Sequence, residues 1–384
     1  MSSAPPYGLL LIVGSQTHQE NYARAFASDE RCRLIGLTDE ADIPVRRGEL
    51  NQQLADELGI PLLGDIDAAL ARDDVHIVCA CAEPERRGLL AAKAARAGKH
   101  VYIDKPLTSS LADAREVVRA VDEAGVRSQM FSLVRSPAAQ QAKDVIQSGR
   151  LGKLVGLHCE LLFAKGVAGT ADLSKPRVEK REAERFTFVD SKRELFCVGL
   201  YPLVLFQWLT GSRFRHISGS TSNYFFAEHQ QNDVEDFSCL LLGMQNGVEA
   251  TITVGRTGWS SHPGFGLHQI HLVGTSGAVT IDAFRPRLEI YSDAPAWKQP
   301  ESPHPEDPMG FWSSTQKSGG VKEKTDWFPI QAAAQSDAAY FLDCIEQDRA
   351  SDVPASVGAH AVEAILAGYE SAATGTTVEL TASE

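Results

Sequence analysis

Residues 97–107 read AGKHVYIDKPL. An Ala-rich segment with helical spacing ends at a glycine, as a helix C-cap does, and a strand-like run at residues 100–103 follows at once. This run passes directly into Asp104, Lys105 and Pro106. Because a proline restricts its own backbone and that of the residue before it, we expect this strand end to hold the lysine side chain in place.

The same alternation of strand and helix extends through the first third of the chain. Three more apolar runs occur, LLLIVG, RLIGLTD and HIVCACA, and segments with helical spacing cover residues 85–98 and 109–125. Continuous apolar strands that alternate with amphipathic helices are typical of a parallel sheet with helices on both faces. We therefore predict an α/β fold that begins with a doubly wound parallel sheet over residues 1–134.

The turn after the first strand, VGSQTHQENYARAF, matches part of the G-x-G-x-x-G fingerprint of dinucleotide-binding loops. Gly14 is present, but Gln16 and Gln19 take the places of the next two glycines. The turn opens a helix whose free N–H groups can receive a pyrophosphate, and the hydroxyls of Ser15 and Thr17 add donors. An ordinary strand-to-helix turn is the alternative interpretation.

The carboxyl ends of the predicted strands should line one crevice, because doubly wound sheets bind their ligands there. Asp39 ends the second strand where a ribose-binding acid belongs, and a helix cap or a solvated acid is the alternative. Arg46 and Arg47 follow and leave contact with a 2′-phosphate open, although we expect NAD rather than NADP. The predicted cofactor-binding residues are Gly14, Ser15, Gln16, Thr17, His18, Asp39, Ala82, Pro84, Asp104, Lys105 and Pro106.

Residues 135–384 have a different pattern, which predicts an α+β domain with a large, mostly antiparallel open sheet. The segments RHISGSTSNYFF, DFSCLLLGM, GVEATITVGR, LHQIHLVG, AVTIDAF and RLEIYS are typical of strands without intervening helices, and Asn-Gly and Ser-Gly steps indicate hairpins. Residues 294–326 have the composition of a long loop, and helices are predicted over 332–348 and 356–375. We expect this domain to bind substrate and to form a homo-oligomer, a dimer or a tetramer, through the uncovered sheet face.

The composition argues against several classes of partner. The formal net charge of −13 disfavours nucleic acid and anionic membranes, which both require basic patches. The apolar run at residues 9–13 is too short to span a bilayer, and the N-terminal MSSAPPYG lacks the basic region of a signal peptide. The seven cysteines are scattered, and His268 and His271 face opposite sides of a strand. We therefore expect a reduced, cytoplasmic protein with no metal site.

Four segments resemble, in the right order, motifs of the Gfo/Idh/MocA family of nicotinamide-dependent oxidoreductases. AGKHVYIDKPL is similar to the AGKHV-x-x-EKP motif, with Asp104 in place of the usual glutamate. GRLGKLVGL resembles the start of the family's sheet domain, VGLYPLVLFQWLTG its second catalytic motif and AILAGYESAATG its last helix. The resemblance implies a Rossmann domain that binds NAD and a carbohydrate-like substrate, such as a sugar, a polyol or a derivative.

The resemblance also assigns roles to individual residues. It implies that Lys105 reaches the substrate hydroxyl beside the nicotinamide, where an ammonium stabilises the developing alkoxide. Tyr201 matches the position at which His or Tyr acts as acid/base, and we expect Lys105 to lower the pKa of its phenol. Independently of the resemblance, the charges of Lys192 and Arg193, just before the second catalytic motif, are expected to hold an anionic group on the substrate. Besides Asp104 and the missing loop glycines, two residues depart from the family pattern, Arg87 where His is common and Cys197 where Asp is usual.

Three functions remain open on these grounds. The first is an NAD-dependent dehydrogenase that acts on a hydroxyl carbon. The second is a redox-neutral, glycoside-cleaving enzyme of the same family, in which the hydride returns within one turnover. The third is a non-catalytic nucleotide-binding protein, which the missing loop glycines favour. Accumulation of NADH separates the first from the second, and binding without turnover separates both from the third.

Overall fold

Two sheets, one parallel and one mostly antiparallel, organise the chain. No helix in the ranges that the structure covers is both long and apolar enough to cross a membrane. The computed structural model describes residues 6–14, 18–164, 166–167, 169–175, 177–180, 193–258, 266–282 and 335–380.

The first sheet is the predicted parallel sheet. Its strands are β1 (Tyr7–Ile12), β2 (Cys32–Thr38), β3 (Leu62–Leu63), β4 (Ile77–Ala80), β5 (His100–Ile103) and β6 (Ser128–Met130). They are all parallel and lie in the order β3-β2-β1-β4-β5-β6. The chain changes direction across the sheet between β1 and β4, so the carboxyl ends of these two strands bound the crevice in which such sheets bind ligands.

Helices cover both faces of this sheet, which confirms the doubly wound arrangement. They are α1 (Gln19–Ala27), α2 (Val45–Leu58), α3 (Ile66–Leu70), α4 (Pro84–Arg96) and α5 (Leu111–Ala124). Helix α5 shows the local signals that made it predictable. The Ser110 hydroxyl accepts a hydrogen bond of 3.1 Å from the Asp113 N–H, and Gly125 ends the helix with a φ of 65°. Strands β3 and β6 are not predicted by any pattern in the sequence.

The second sheet is mixed but mostly antiparallel, as predicted. The remaining elements are α6 (Pro137–Gln147), β7 (Leu154–Phe163), a π-helical turn (Leu195–Gly199), α7 (Leu200–Thr210), β8 (Phe214–Ser222), α8 (Ala227–Gln231), β9 (Phe237–Met244), β10 (Glu249–Arg256), β11 (Gly266–Gly274), β12 (Ala278–Asp282), α9 (Asp337–Glu346), α10 (Ala355–Thr374) and β13 (Val378–Glu379). The strands lie in the order β12-β11-β7-β10-β9-β8-β13, and only the β7–β10 pair is parallel. The strand predicted in RLEIYS and the loop predicted at 294–326 lie outside the described residues.

The two faces of the second sheet differ. Helix α7 contacts β7 and helix α10 contacts β8, so one face is covered by helices as expected. The opposite face carries polar side chains. His158 lies 2.5 Å from the Thr251 hydroxyl, and His271 lies 2.9 Å from the Thr280 hydroxyl, in each case measured from Nδ1. That this face joins subunits stays a prediction.

The chain returns to the first sheet after it has built the second. Helix α9 packs against α1, and the Phe341 ring lies 5.9 Å from the Tyr102 ring in the core of the first domain. The Tyr102 hydroxyl donates a hydrogen bond of 2.6 Å to the Asp337 carboxylate. The predicted boundary after residue 134 stays a prediction, and α9 adds to the first domain from the far side of that boundary.

Candidate active site

Lys105 and Tyr201 come together from the two domains, at the end of β5 and the start of α7. The Lys105–Pro106 peptide is cis. The Lys105 Nζ atom lies 5.3 Å from the centre of the Tyr201 ring and donates a hydrogen bond of 3.2 Å to the carbonyl oxygen of Cys197. Both side chains are largely buried but retain some exposure to solvent.

Burial and charge oppose each other at this pair. Burial lowers the pKa of Lys105, but the nearby Tyr201, Cys197 and Asp104 outweigh it, and the pKa lies above its ordinary value. Burial raises the pKa of Tyr201 above its ordinary value, and the Lys105 charge offsets only part of the increase. The expectation of a lowered phenol pKa is therefore wrong, because the ammonium acts in the expected direction but burial has the larger effect. Both groups are protonated at neutral pH.

Asp104 is a buried carboxylate that anchors the strand end. Its Oδ1 atom accepts a hydrogen bond of 2.7 Å from the Tyr22 hydroxyl and lies 3.0 Å from the His18 Nδ1 atom, and its Oδ2 atom accepts one of 2.9 Å from Arg87. Burial raises the pKa of Asp104, but Arg87 and His18 more than offset it and hold the pKa well below its usual range. Arg87 also donates to the Pro106 carbonyl oxygen. Arg87 therefore fixes the residues on both sides of the lysine.

A buried network fixes the π-helical turn that leads into α7. Glu235 accepts hydrogen bonds of 3.0 Å from the Leu195 N–H, 2.6 Å from the Tyr369 hydroxyl and 2.9 Å from Arg193. Arg193 also donates to Glu179 at 2.7 Å, and its guanidinium lies 3.5 Å from the centre of the Tyr369 ring. With a side chain only 3% exposed and two carboxylate partners, Arg193 is not placed to hold a substrate anion, which corrects the sequence-based expectation.

The first loop is closed by a side chain that the fingerprint does not include. The Gly14 N–H donates to Gln19 Oε1 at 3.1 Å, and Gln19 Nε2 donates to the Gly14 carbonyl oxygen at 3.0 Å. A Cβ atom on Gly14 would lie 2.9 Å from the Ala82 Cα atom, so glycine is required for β1 and β4 to approach this closely. The other predicted loop residues, Ser15, Gln16 and Thr17, lie outside the described residues.

Asp39 follows β2 directly, and its carboxylate forms an ion pair with Arg47. Arg47 donates to both carboxylate oxygens at 2.6 Å, and Asn51 donates to one of them at 2.8 Å. Arg47 also lies 3.1 Å from a Glu83 oxygen and donates to the Val13 carbonyl oxygen at 3.1 Å. The Asp39 carboxylate, which the sequence predicts as the ribose ligand, is therefore already paired with Arg47, and no local pattern predicts that pairing.

The other predicted cofactor residues lie at the same edge of the sheet. Ala82 is fully buried, and Pro84 is the first residue of α4, with its carbonyl oxygen hydrogen-bonded to the Thr108 hydroxyl at 3.1 Å. The carboxyl ends of β1, β2, β4 and β5 therefore meet at one crevice beside the start of α1. This arrangement fits a dinucleotide, because the strand order reverses there and a helix begins there.

These features define a class of two-domain, Rossmann-type oxidoreductases. Residues 9–132 match the family model described as "Oxidoreductase family, NAD-binding Rossmann fold", and residues 139–280 match "GFO/IDH/MocA C-terminal domain". The chain belongs to the Gfo/Idh/MocA family, which confirms the resemblance that the motifs indicated.

Curated relatives and solved structures agree with this membership. The chain is 24% identical over 272 residues to 2,7-anhydro-N-acetylneuraminate hydratase of Mediterraneibacter gnavus, a match that covers 71% of this chain and 66% of the relative. It is 26% identical over 238 residues to scyllo-inositol 2-dehydrogenase (NAD(+)) of Bacillus subtilis, which covers 61% and 63%. These matches span less than two thirds of each relative's length.

A solved structure extends the likeness of fold to the whole chain. The crystal structure of GenD2 from gentamicin A biosynthesis, in complex with NAD, has a TM-score of 0.69 and 20% sequence identity. The match covers 100% of this chain and 98% of that chain. At this identity the likeness establishes the fold.

Proposed function

We propose that the protein is an NAD-dependent oxidoreductase that transfers a hydride between a hydroxyl carbon of a sugar, polyol or sugar derivative and the nicotinamide. The observation that carries the proposal is the proximity of Lys105 and Tyr201 beside the crevice at the strand ends. The Lys105 Nζ atom lies 5.3 Å from the centre of the Tyr201 ring. The relative named scyllo-inositol 2-dehydrogenase supports a polyol-like substrate. A cytoplasmic location and a homo-oligomer remain part of the proposal.

The environment of each catalytic residue supports its proposed role. NAD, when bound, accepts or supplies the hydride. Lys105 keeps its charge because its neighbours hold its pKa above the ordinary value, so it can stabilise an alkoxide on the substrate. Tyr201 keeps its proton at neutral pH and can give it to that alkoxide during reduction. During oxidation the base is its phenolate form, which becomes more abundant as the pH rises.

We place the cofactor along the carboxyl ends of the first sheet. Gly14 permits the close approach of β1 and β4, and Asp39 with Arg47 stands at the end of β2, where the adenosine ribose of a dinucleotide belongs. At the end of the crevice where we place the nicotinamide, the role of Asp104 and His18 is to hold Lys105 in position. The Asp104 oxygens already accept hydrogen bonds from protein groups and do not bind the cofactor directly. Ser15, Gln16 and Thr17 stay predicted pyrophosphate contacts.

A nucleotide-release and substrate-screening experiment tests the proposed function. The purified protein is denatured and any released nucleotide is identified. Sugars, polyols, sugar acids and aryl glycosides are then screened with added NAD, following the absorbance of reduced nicotinamide and the release of aglycone. We expect exchangeable NAD and accumulation of NADH. The absence of NAD and NADP binding at millimolar concentration would contradict every enzymatic proposal.

A redox-neutral reaction is the second candidate, and one observation favours it. The relative from Mediterraneibacter gnavus is named a hydratase, and addition of water has no net redox change. A redox-neutral enzyme would retain nucleotide through purification and convert substrate without net NADH. The same screen distinguishes it, because product forms while the nicotinamide absorbance stays constant. A non-catalytic protein would bind nucleotide and convert none of the compounds.

Cofactor preference is expected to follow the acidic residues at the end of β2. Asp39, Glu40 and Glu83 outnumber Arg47 and Arg86 in the cluster that they form, so a 2′-phosphate meets an excess of negative charge. We expect NAD to bind at least about tenfold more tightly than NADP, as measured by titration calorimetry.

A substitution tests which residue sets that preference. Asp39→Asn should narrow the difference in affinity between NAD and NADP, because it removes one negative charge and one of the two carboxylates that hold Arg47. Glu49→Gln serves as the matched control, because Glu49 forms an exposed ion pair with Arg46. This variant should leave the difference in affinity between NAD and NADP unchanged. Tighter binding of NADP by the unmodified protein would remove Asp39 from its proposed role and make Arg47 the phosphate ligand.

A further inference from the structure

Arg256 presents one edge of its guanidinium to a buried carboxylate. It is the last residue of β10, and its Nε and Nη2 atoms lie 2.7 Å and 3.5 Å from the two carboxylate oxygens of Glu194. Glu194 is fully buried, whereas the Arg256 side chain is 21% exposed. Within the part of the chain that the structure describes, Nη1 has no hydrogen-bond partner. Glu194 therefore orients Arg256 and leaves the opposite end of the guanidinium available.

Glu194 is itself held rigidly. The His229 Nε2 atom lies 3.4 Å from its Oε1 atom. Burial raises the pKa of Glu194, but His229 and Arg256 outweigh it, and the pKa lies below its ordinary value. Glu194 is therefore ionised at neutral pH, and its two hydrogen bonds to Arg256 fix the orientation of the guanidinium.

Arg256 lies at the end of the strand that packs against the segment leading into Tyr201. Glu194 immediately precedes the π-helical turn whose Cys197 carbonyl oxygen accepts the hydrogen bond from Lys105. A Cβ atom on Gly199, at the end of that turn, would lie 3.3 Å from the side chain of Val254, two residues before Arg256. The β10 strand end is thus packed against the segment that carries the Lys105 contact and leads to Tyr201.

The charges around this centre do not balance. Lys105 and Arg256 contribute two positive charges, and Glu194 contributes one negative charge. Asp104 directs both oxygens to His18, Tyr22 and Arg87 instead. Cys197 stands at the position where the family pattern has an aspartate. Counted over these described residues, with Asp104 paired to Arg87, one positive charge is in excess before any substrate binds.

Resting on the proposed function, we propose that Arg256 binds a carboxylate on the substrate, so that the substrate class is sugar acids rather than neutral sugars. One end of a guanidinium offers two N–H donors in the plane that a carboxylate needs. Tyr201 is uncharged at neutral pH and does not repel such a group. A dianionic phosphate fits less well, because Glu194 already neutralises one of the two cations.

Binding measurements test the proposal without requiring turnover. The full-length protein, saturated with NADH, is titrated calorimetrically with hexuronates and aldonates and with the matching neutral sugars and polyols, such as D-glucuronate against D-glucose. We expect at least one acid to bind about tenfold or more tightly than its neutral counterpart, because a charge-assisted hydrogen bond is gained. If no acid binds more tightly than its neutral partner, the proposal is wrong.

Variants assign the effect to Arg256. Arg256→Met should abolish the preference for the acid and leave the affinity for the neutral sugar within about twofold. Because that change leaves Glu194 buried without its main partner, the double variant Arg256→Met with Glu194→Gln removes the pair together and should retain the fold. Arg215→Met, on the exposed side of β8, is the matched control and should keep the preference. Retention of the preference in the double variant would overturn the role of Arg256.

These results also separate this proposal from the proposed function. Loss of acid binding in the variants, with no NADH formed from any compound by the unmodified protein, supports Arg256 as the carboxylate ligand and contradicts net oxidation. Equal NADH formation from acids and neutral sugars, unchanged by Arg256→Met, overturns the carboxylate site and leaves hydride transfer in place.

Discussion

Lys105→Met and Tyr201→Phe are each expected to reduce turnover by about 10²–10⁴-fold, which is the usual contribution of a positioned acid or base. Lys105→Met removes the ammonium that donates to the Cys197 carbonyl oxygen, and Tyr201→Phe removes the phenol hydroxyl and keeps the ring. Initial rates with the substrate found by screening, together with the affinity for NAD, measure the effect. We expect the affinity for NAD to change little, because neither side chain belongs to the adenosine end of the crevice.

A control variant and a pH profile accompany these two substitutions. Lys153→Met, an exposed lysine at the start of the second domain, should retain full turnover. The rate of oxidation should rise with pH in the unmodified protein, because burial raises the pKa of Tyr201 and little phenolate is present at neutral pH. Tyr201→Phe should lose that rise. Full turnover in either variant would remove the residue from the catalytic pair.

Asp104→Asn is expected to lower the free energy of unfolding by about 3–5 kcal/mol, since it leaves the Arg87 guanidinium buried without its charged partner. Both side chains are about 1% exposed, at a distance of 2.9 Å, so solvent cannot replace the lost interaction. Urea unfolding followed by circular dichroism measures the change. The exposed pair of Arg72 and Asp74 offers the matched control, and Asp74→Asn should have no measurable effect.

The pH dependence of this contribution has a definite sign. The folded-state pKa of Asp104 lies well below its usual range, so its stabilising effect is fully present above the ordinary carboxyl pKa and is lost only as the pH falls towards the folded value. The unmodified protein should therefore show no loss from this group between neutral pH and about pH 5. A second variant that replaces Asp104 and Arg87 together by apolar residues should recover much of the stability. Unchanged unfolding of Asp104→Asn would contradict the anchoring role.

The parts of the fold that were predictable are those with local signals. The buried strands β1, β4 and β5 each contain four or more consecutive residues of strand type, and α5 carries its own cap residues. The strands β3 and β6 have two and three residues, and β6 reads Ser-Gln-Met. Such segments become strands only because a neighbouring strand edge needs a partner, which no local pattern reveals.

The candidate site also contains predictable residues, which lie in local motifs, and unpredictable ones, which depend on distant partners. Lys105 and Tyr201 lie in recognisable motifs, and the structure brings them together. The ion pairs of the site could not be predicted from the sequence, because their partners are far apart along the chain. Arg193 is 42 residues from Glu235, and Arg47 is 36 residues from Glu83. A sequence shows that an arginine is charged, but only the packed structure shows whether a carboxylate already neutralises it.

Helix α9 has a consequence for how the protein is made on the ribosome. Tyr102 receives part of its contacts from Phe341 and Asp337, the latter 235 residues later in the chain. While the second sheet is being synthesised, one face of the first sheet therefore stays partly uncovered, with Phe26 and Tyr102 near the gap. An unfinished apolar surface on a nascent chain is a binding site for chaperones and a risk for aggregation. The first domain begins to fold first and is completed among the last.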